Sequence, residues 1–243
     1  MPGSGTDFSA VALSDYIYVL MIDRSVHRLK YSDREATWER MKHMMYDHGR
    51  CPPVAVLSGN IYVVGEFDEY SKSVEKFEPS SNKWEKVKDK NLSSYSSTAL
   101  GAGGCIYSIG GVVSGHWTNQ VERFDPTSST WSFVASMNEA KGWVAAVENE
   151  GKIYVLGGEN NGNLTTVERY DIPTNVWSMV TPMLTERSWF SAFVIDSNIY
   201  AVGGMYSSPG SMEKFDFKKN RWEMIDMKNQ NLKILGAVKI NLK

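Results

Sequence analysis

Five tryptophans, Trp38, Trp84, Trp131, Trp177 and Trp222, divide the chain at intervals of 46, 47, 46 and 45 residues. A second marker keeps the same period: Ile17-Tyr18, Ile61-Tyr62, Ile106-Tyr107, Ile153-Tyr154 and Ile199-Tyr200. Two independent markers on one period establish an internal repeat, which constrains architecture more than any single residue does. The 243 residues therefore read as one continuous array rather than two domains.

Each unit has the same inner order. In the last one, an apolar run Ser191–Ile195 precedes a short polar turn, then Ile199-Tyr200-Ala201-Val202 and the doublet Gly203-Gly204. A variable stretch leads to Met212-Glu213-Lys214-Phe215, and a second polar turn precedes Trp222. Short β-rich segments bounded by turn residues predict four antiparallel strands per unit, designated A to D. Glycine doublets also stand at Gly110-Gly111 and Gly157-Gly158, where positive φ or close backbone approach is expected. An aromatic residue lies seven positions before each Trp, at Tyr31, Phe77, Phe124, Tyr170 and Phe215. A glutamate lies two positions before four of these aromatics, at Glu75, Glu122, Glu168 and Glu213. Units that each expose an apolar face must stack on one another, and radial closure does so with few exposed edges.

The doublet, the Glu-Arg/Lys-aromatic segment and the Trp seven residues later together resemble the kelch repeat, over almost the whole chain. The resemblance implies an all-β propeller with five full four-stranded repeats, at about 7–44, 52–91, 97–137, 144–183 and 190–227. An extra strand A is expected over 234–242, so the ring is either five-bladed or a truncated six-bladed one. The Gly-His and Trp-Asp signatures of the WD40 repeat are missing. Blade one is expected to be the least regular, with Met21-Ile22 at the doublet and Leu29 at the glutamate position. Blade two has Gly65-Glu66 at the doublet.

A net charge of −2 gives no general attraction to nucleic acid or anionic membrane, so neither is expected as a partner. Cys51 and Cys105 occupy different repeat positions, which suggests no disulfide framework and fits an intracellular, cytoplasmic setting. The first residues carry neither a basic nor an apolar signal-peptide region. The four histidines lack metal-ligand spacing and are expected at the surface, and no metal or other cofactor is expected. The repeated glutamates are expected to satisfy strand-end or neighbouring-blade groups rather than to act as paired catalytic carboxylates. With no phosphate cradle and no nucleophile elbow, the chain is expected not to be an enzyme.

The candidate site is a loop-lined mouth. Trp143 and Trp189 share one position in the D–A link, twelve residues after Trp131 and Trp177, and Arg50 and Ser96 hold it in earlier repeats. Two positions earlier stand His48, Ser94, Lys141 and Arg187. Tyr46 and Tyr95 lie in the same links. The B–C loops add Phe67, Tyr70, His116, Trp117, Asn160 and Tyr206. Loops on a rigid scaffold concentrate binding residues, and Trp, Tyr and Arg are the usual anchors. In kelch-like proteins, the resemblance implies, these loops grip a peptide segment of a protein partner. It further implies the substrate-recognition part of a cullin-type ubiquitin ligase adaptor, with cullin reached only through BTB and BACK segments absent from this chain. An actin or cytoskeletal scaffold is the alternative expectation, and a sugar-acting kelch enzyme a more distant one.

Overall fold

A computed structural model describes residues 8–65, 72–204 and 210–226. The expected strand over 234–242 lies outside the described residues, as do Phe67, Tyr70 and Tyr206. Blade one comprises β1 (Phe8–Leu13), β2 (Tyr16–Met21), β3 (Val26–Lys30) and β4 (Glu39–Arg40). Blade two comprises β5 (Val54–Leu57), β6 (Asn60–Val64), β7 (Val74–Glu78) and β8 (Lys83–Val87). Blade three comprises β9 (Thr98–Ala102) and β10 (Cys105–Ile109), then the small hairpin β11 (Val112–Val113) and β12 (His116–Trp117), then β13 (Val121–Asp125) and β14 (Thr130–Phe133). Blade four is β15 (Ala145–Asn149), β16 (Lys152–Leu156), β17 (Val167–Asp171) and β18 (Val176–Val180). Blade five is β19 (Ser191–Ile195), β20 (Asn198–Val202), β21 (Met212–Asp216) and β22 (Arg221–Ile225).

The result is an all-β, five-bladed propeller of four-stranded antiparallel sheets. Blade one is the irregular one: its outer strand has two residues, and Trp38 stands just before it. No helix among the described residues is long and apolar enough to cross a membrane.

Local chemistry explains the strand boundaries. In blades two to five the A–B hairpin turns on two residues that both have positive φ: Ser58-Gly59, Gly103-Gly104, Glu150-Gly151 and Asp196-Ser197. Such turns match the right-handed twist of the strands they join. The C–D turns open on a carboxylate that accepts backbone N–H groups, as Asp125 does from Thr127 and Asp216 from Lys218 and Lys219. They close on a left-handed residue: Asn82, Ser129, Asn175 or Asn220.

The Ile-Tyr marker now has a physical meaning. Successive strand residues point to opposite faces. Ile61 packs back into the cluster shared with blade one, whereas Tyr62 packs forward into the cluster shared with blade three. Ile106 and Tyr107, then Ile153 and Tyr154, divide in the same way. The dipeptide thus serves both interfaces of a blade. Among the described residues, four buried clusters join blades one to two, two to three, three to four and four to five, and none of them spans five and one. Ile17 and Tyr200 are correspondingly half-buried. The inner strands of all five blades line one central channel of about 430 Å3, walled by small residues such as Ala12, Ala99, Ala146 and Ala192.

Burial raises the hydroxyl pKa of four forward-facing tyrosines, Tyr18, Tyr62, Tyr107 and Tyr154. Burial pushes the Tyr107 hydroxyl up to about 12, from an ordinary 10.0. In the unfolded chain this phenol ionises first, so the stability it preserves is intact below pH 10.0 and is lost as pH rises towards about 12. A Tyr107→Phe variant is expected to show a shallower loss of stability over that window. Denaturant midpoints measured across alkaline pH would check it, and identical slopes for both proteins would contradict it.

Candidate functional site

The D–A links decide what the mouth presents. Each link is a wedge between consecutive blades, gripped on both sides. On one side, the periodic indoles donate to link carbonyls: Trp84 to Lys42, Trp131 to Lys88, Trp177 to Ala135 and Trp222 to Thr181, at 2.7–2.9 Å. The glutamates of the same downstream blades accept link N–H groups. Glu75 accepts from Met45 and Tyr46, Glu122 from Asn91 and Leu92, Glu168 from Asn138 and Glu139, and Glu213 from Leu184. These carboxylates are almost wholly buried, so the structural role expected for them accounts for all four.

On the other side, the glycine doublets of the upstream blade press on the link backbone. Gly111 N–H donates to Lys141 O at 2.9 Å and Gly158 N–H to Arg187 O at 2.8 Å. A Cβ on Gly110 or Gly157 would come closer than 3.0 Å to these same carbonyl oxygens.

Buried glutamates call for buried cations, and the column expected to face a partner supplies them. Arg187 and Lys141 have no exposed surface and His48 has 1 %. Arg187 Nε donates to Glu213 at 2.9 Å, and its other nitrogens donate to the Gly203 carbonyl and to Ser211. Lys141 Nζ lies 3.1 Å from Glu168 and 3.4 Å from Glu139. His48 presents Nε2 to Glu75 at 2.9 Å and Nδ1 to the Gly65 carbonyl at 2.7 Å. Both ring nitrogens are thereby held, one by a carboxylate and one by a backbone carbonyl. In the second link, where Ser94 holds the column, buried Lys90 reaches it from four residues earlier at 2.6 Å.

The expected exposure of these basic residues, and of His48 as a surface histidine, is therefore corrected. A buried carboxylate without a cation costs far more than the side-chain freedom lost in pairing it. The periodicity shared by the glutamate and basic columns was the available signal. Arg50 remains exposed, as does His116, and Tyr46 is half-buried with its ring edge against His48.

What the mouth does expose is aromatic. Trp143 packs on Trp117 with ring centroids 5.6 Å apart and on Trp189 at 4.9 Å, and all three indoles are half-buried. A backbone ladder sets this arc: Trp143 N–H donates to Ser96 O at 2.8 Å and Trp189 N–H to Trp143 O at 3.3 Å. Ser96, Trp143 and Trp189 all have left-handed φ, at 56°, 47° and 52°. Each such residue costs about 1–2 kcal/mol and persists only where its surroundings impose it.

The B–C loops complete the arc. The β11–β12 hairpin turns on Ser114-Gly115 and lays Trp117 over Gly142, where a Cβ would come within 2.8 Å of the indole. Tyr95 is bridged to Val112 of that hairpin. In blade four, Glu159 exchanges two backbone hydrogen bonds with Gly142, and Asn163 accepts from Ser188 Oγ at 2.6 Å. Asn160 is half-buried beside them, its N–H on Gly162 O. Gly142, Asn163 and Ser188 carry no motif of their own, and only the fold shows their part in the site. Among the described residues no group of three or more His, Cys, Asp or Glu is placed to hold a metal ion.

The sequence matches the KLHDC2/KLHL20/DRC7 Kelch-repeats domain over residues 7–204 and the Kelch motif over residues 187–226. No curated protein matches it. Among solved structures, it is similar to YjhT, with a TM-score of 0.79 and 15% identity over 92% of this chain and 84% of that one.

This likeness of fold corrects the expectation that the chain is not an enzyme. That expectation rested on the lack of local motifs, a phosphate cradle or a nucleophile elbow. A propeller gathers groups from separate segments, as the Lys141, Glu139 and Glu168 cluster does, so local sequence excludes nothing. The repeat markers, the blade architecture and a match spanning most of its length all agree: this chain belongs to the kelch-repeat family, in the KLHDC2/KLHL20/DRC7 type of domain.

Proposed function

We propose that this propeller is a protein-interaction module that holds a segment of a protein partner at the mouth lined by the B–C and D–A loops. The observation that carries the reading is the half-buried arc Trp117, Trp143 and Trp189, with Trp143 and Trp189 held on left-handed backbone in successive D–A links and Trp117 on a B–C loop hairpin. Amphipathic rings fixed by a rigid frame lose little freedom on binding and are common anchors of interfaces. The finer proposal is that the module selects substrates for a cullin-type ubiquitin ligase inside the cell, with BTB and BACK segments making the cullin contact. Its support is the kelch-like pattern of the repeat and the loop variability between blades.

Affinity capture from cell lysate tests the first part. Partners retained by a Phe133→Ala control on outer strand β14, but lost from Trp117→Ala at unchanged thermal stability, are the expected result. Equal recovery by both variants would remove the mouth from consideration. The adaptor role predicts that captured partners accumulate in cells depleted of this protein, and unchanged abundance would end that part of the proposal.

A further inference from the structure

Resting on the reading that the mouth binds a protein segment, we propose that the indole arc takes a cationic side chain, an arginine or lysine carried on an extended partner segment. A basic column in solvent attracts an acidic motif, but Arg187 and Lys141 are committed elsewhere. Arg187 is paired with Glu213 and Lys141 with Glu168, both pairs fully buried, and the buried His48 ring is hydrogen-bonded to Glu75. An incoming carboxylate would have to compete with a buried glutamate for each.

The group left without a counter-charge is acidic. Glu159 is half-buried, and among the described residues its carboxylate has no partner. Its position follows from backbone geometry. Gly142 and Glu159 exchange both N–H···O bonds, at 3.2 and 2.8 Å, so they are a directly opposed antiparallel pair. Opposed residues project to the same face of such a pair. The Cβ direction of Gly142 is the one that meets the Trp117 ring. The Glu159 side chain therefore leaves the backbone on the side where Trp117 sits, with Trp143 packed against that ring.

An indole face attracts a cation through its quadrupole, and the attraction grows when water is partly excluded. A half-buried, unpaired carboxylate is itself relieved by a cation. Guanidinium satisfies both demands at once, since its plane stacks on a ring while its edge donates to a carboxylate. Neutral apolar segments would leave Glu159 unpaired, and acidic ones would repel it.

Three fluorescent twelve-residue Gly/Ser peptides, differing only in a centre of two arginines, two glutamates or three prolines, test the inference by anisotropy titration with the whole chain. The arginine peptide is expected to bind at least about tenfold more tightly than either other peptide, and to weaken as salt is raised. Glu159→Gln, which keeps the backbone bonds to Gly142, is expected to weaken it about fivefold and flatten the salt dependence. Trp117→Leu is expected to weaken it about tenfold.

Binding of the glutamate peptide as tightly as the arginine peptide overturns the inference, and so does an unchanged affinity in Glu159→Gln. Absence of any arginine-peptide binding overturns it too. A Trp117-dependent preference for the proline peptide would also overturn it while leaving the mouth a segment-binding site. Failure of protein capture at the mouth is a separate result that bears on the functional reading itself.

Discussion

Arg187→Ala is expected to lower the free energy of unfolding by about 3–5 kcal/mol, the loss typical of breaking a buried ion pair from one side. The variant removes a guanidinium with no exposed surface and leaves Glu213, equally buried, with the Leu184 N–H. It also strips donors from the Gly203 carbonyl and from Ser211. Unfolding in urea followed by tryptophan fluorescence reads the change as a shift in midpoint. Two companions give the loss its meaning. Arg187→Lys is expected to lose less, because Lys141 fills the same column against Glu168. The double variant Arg187→Met/Glu213→Leu is expected to be more stable than Arg187→Ala alone, since no lone charge is left inside. A single-variant loss under about 1 kcal/mol would mean that water reaches this pair.

Gly157→Ala should be nearly as damaging, for a reason that involves no charge. Gly157 has φ +55°, and its Cβ would come closer than 3.0 Å to the Arg187 carbonyl oxygen and within 3.0 Å of the Met183 and Phe190 side chains. Backbone gives way only if the link moves, and the link is held by Glu213 and Trp222. A loss of about 3 kcal/mol or more is expected, combining left-handed strain with overpacking. Gly151→Ala is the control: it has φ +73° but nothing within 4 Å of the added carbon, so about 1–2 kcal/mol of strain is all it should lose. Equal losses at the two sites would show that link packing contributes nothing at the doublet.

Much of the fold was legible because it is written several times over. The Ile-Tyr dipeptide repeats, and strand alternation alone makes one residue face backward and the other forward. The two-residue A–B turns could be anticipated from Ser58-Gly59 and Gly103-Gly104, whose residues accept positive φ. The candidate site was legible as a set of loops but not as a chemistry. Position in a link places His48, Lys141 and Arg187 near the mouth, yet burial depends on whether a glutamate 26–27 residues away reaches the same point. Trp143 and Trp189 were expected to anchor a partner from the D–A links. Their left-handed backbone, which no propensity of tryptophan would suggest, turns their rings onto one another. Glu159 carries no repeat marker, and only its pairing with Gly142 gives it a direction.

The grip on each link also sets an order in time. A link is held by a glutamate about 30 residues downstream and by an indole about 42 residues downstream, as Asn138 is by Glu168 and Ala135 by Trp177. During synthesis each joint is therefore made before the residues that lock it. Until the next blade emerges, a new joint has only the contacts of the blade before it, and its carboxylate and indole partners arrive with the blade that follows.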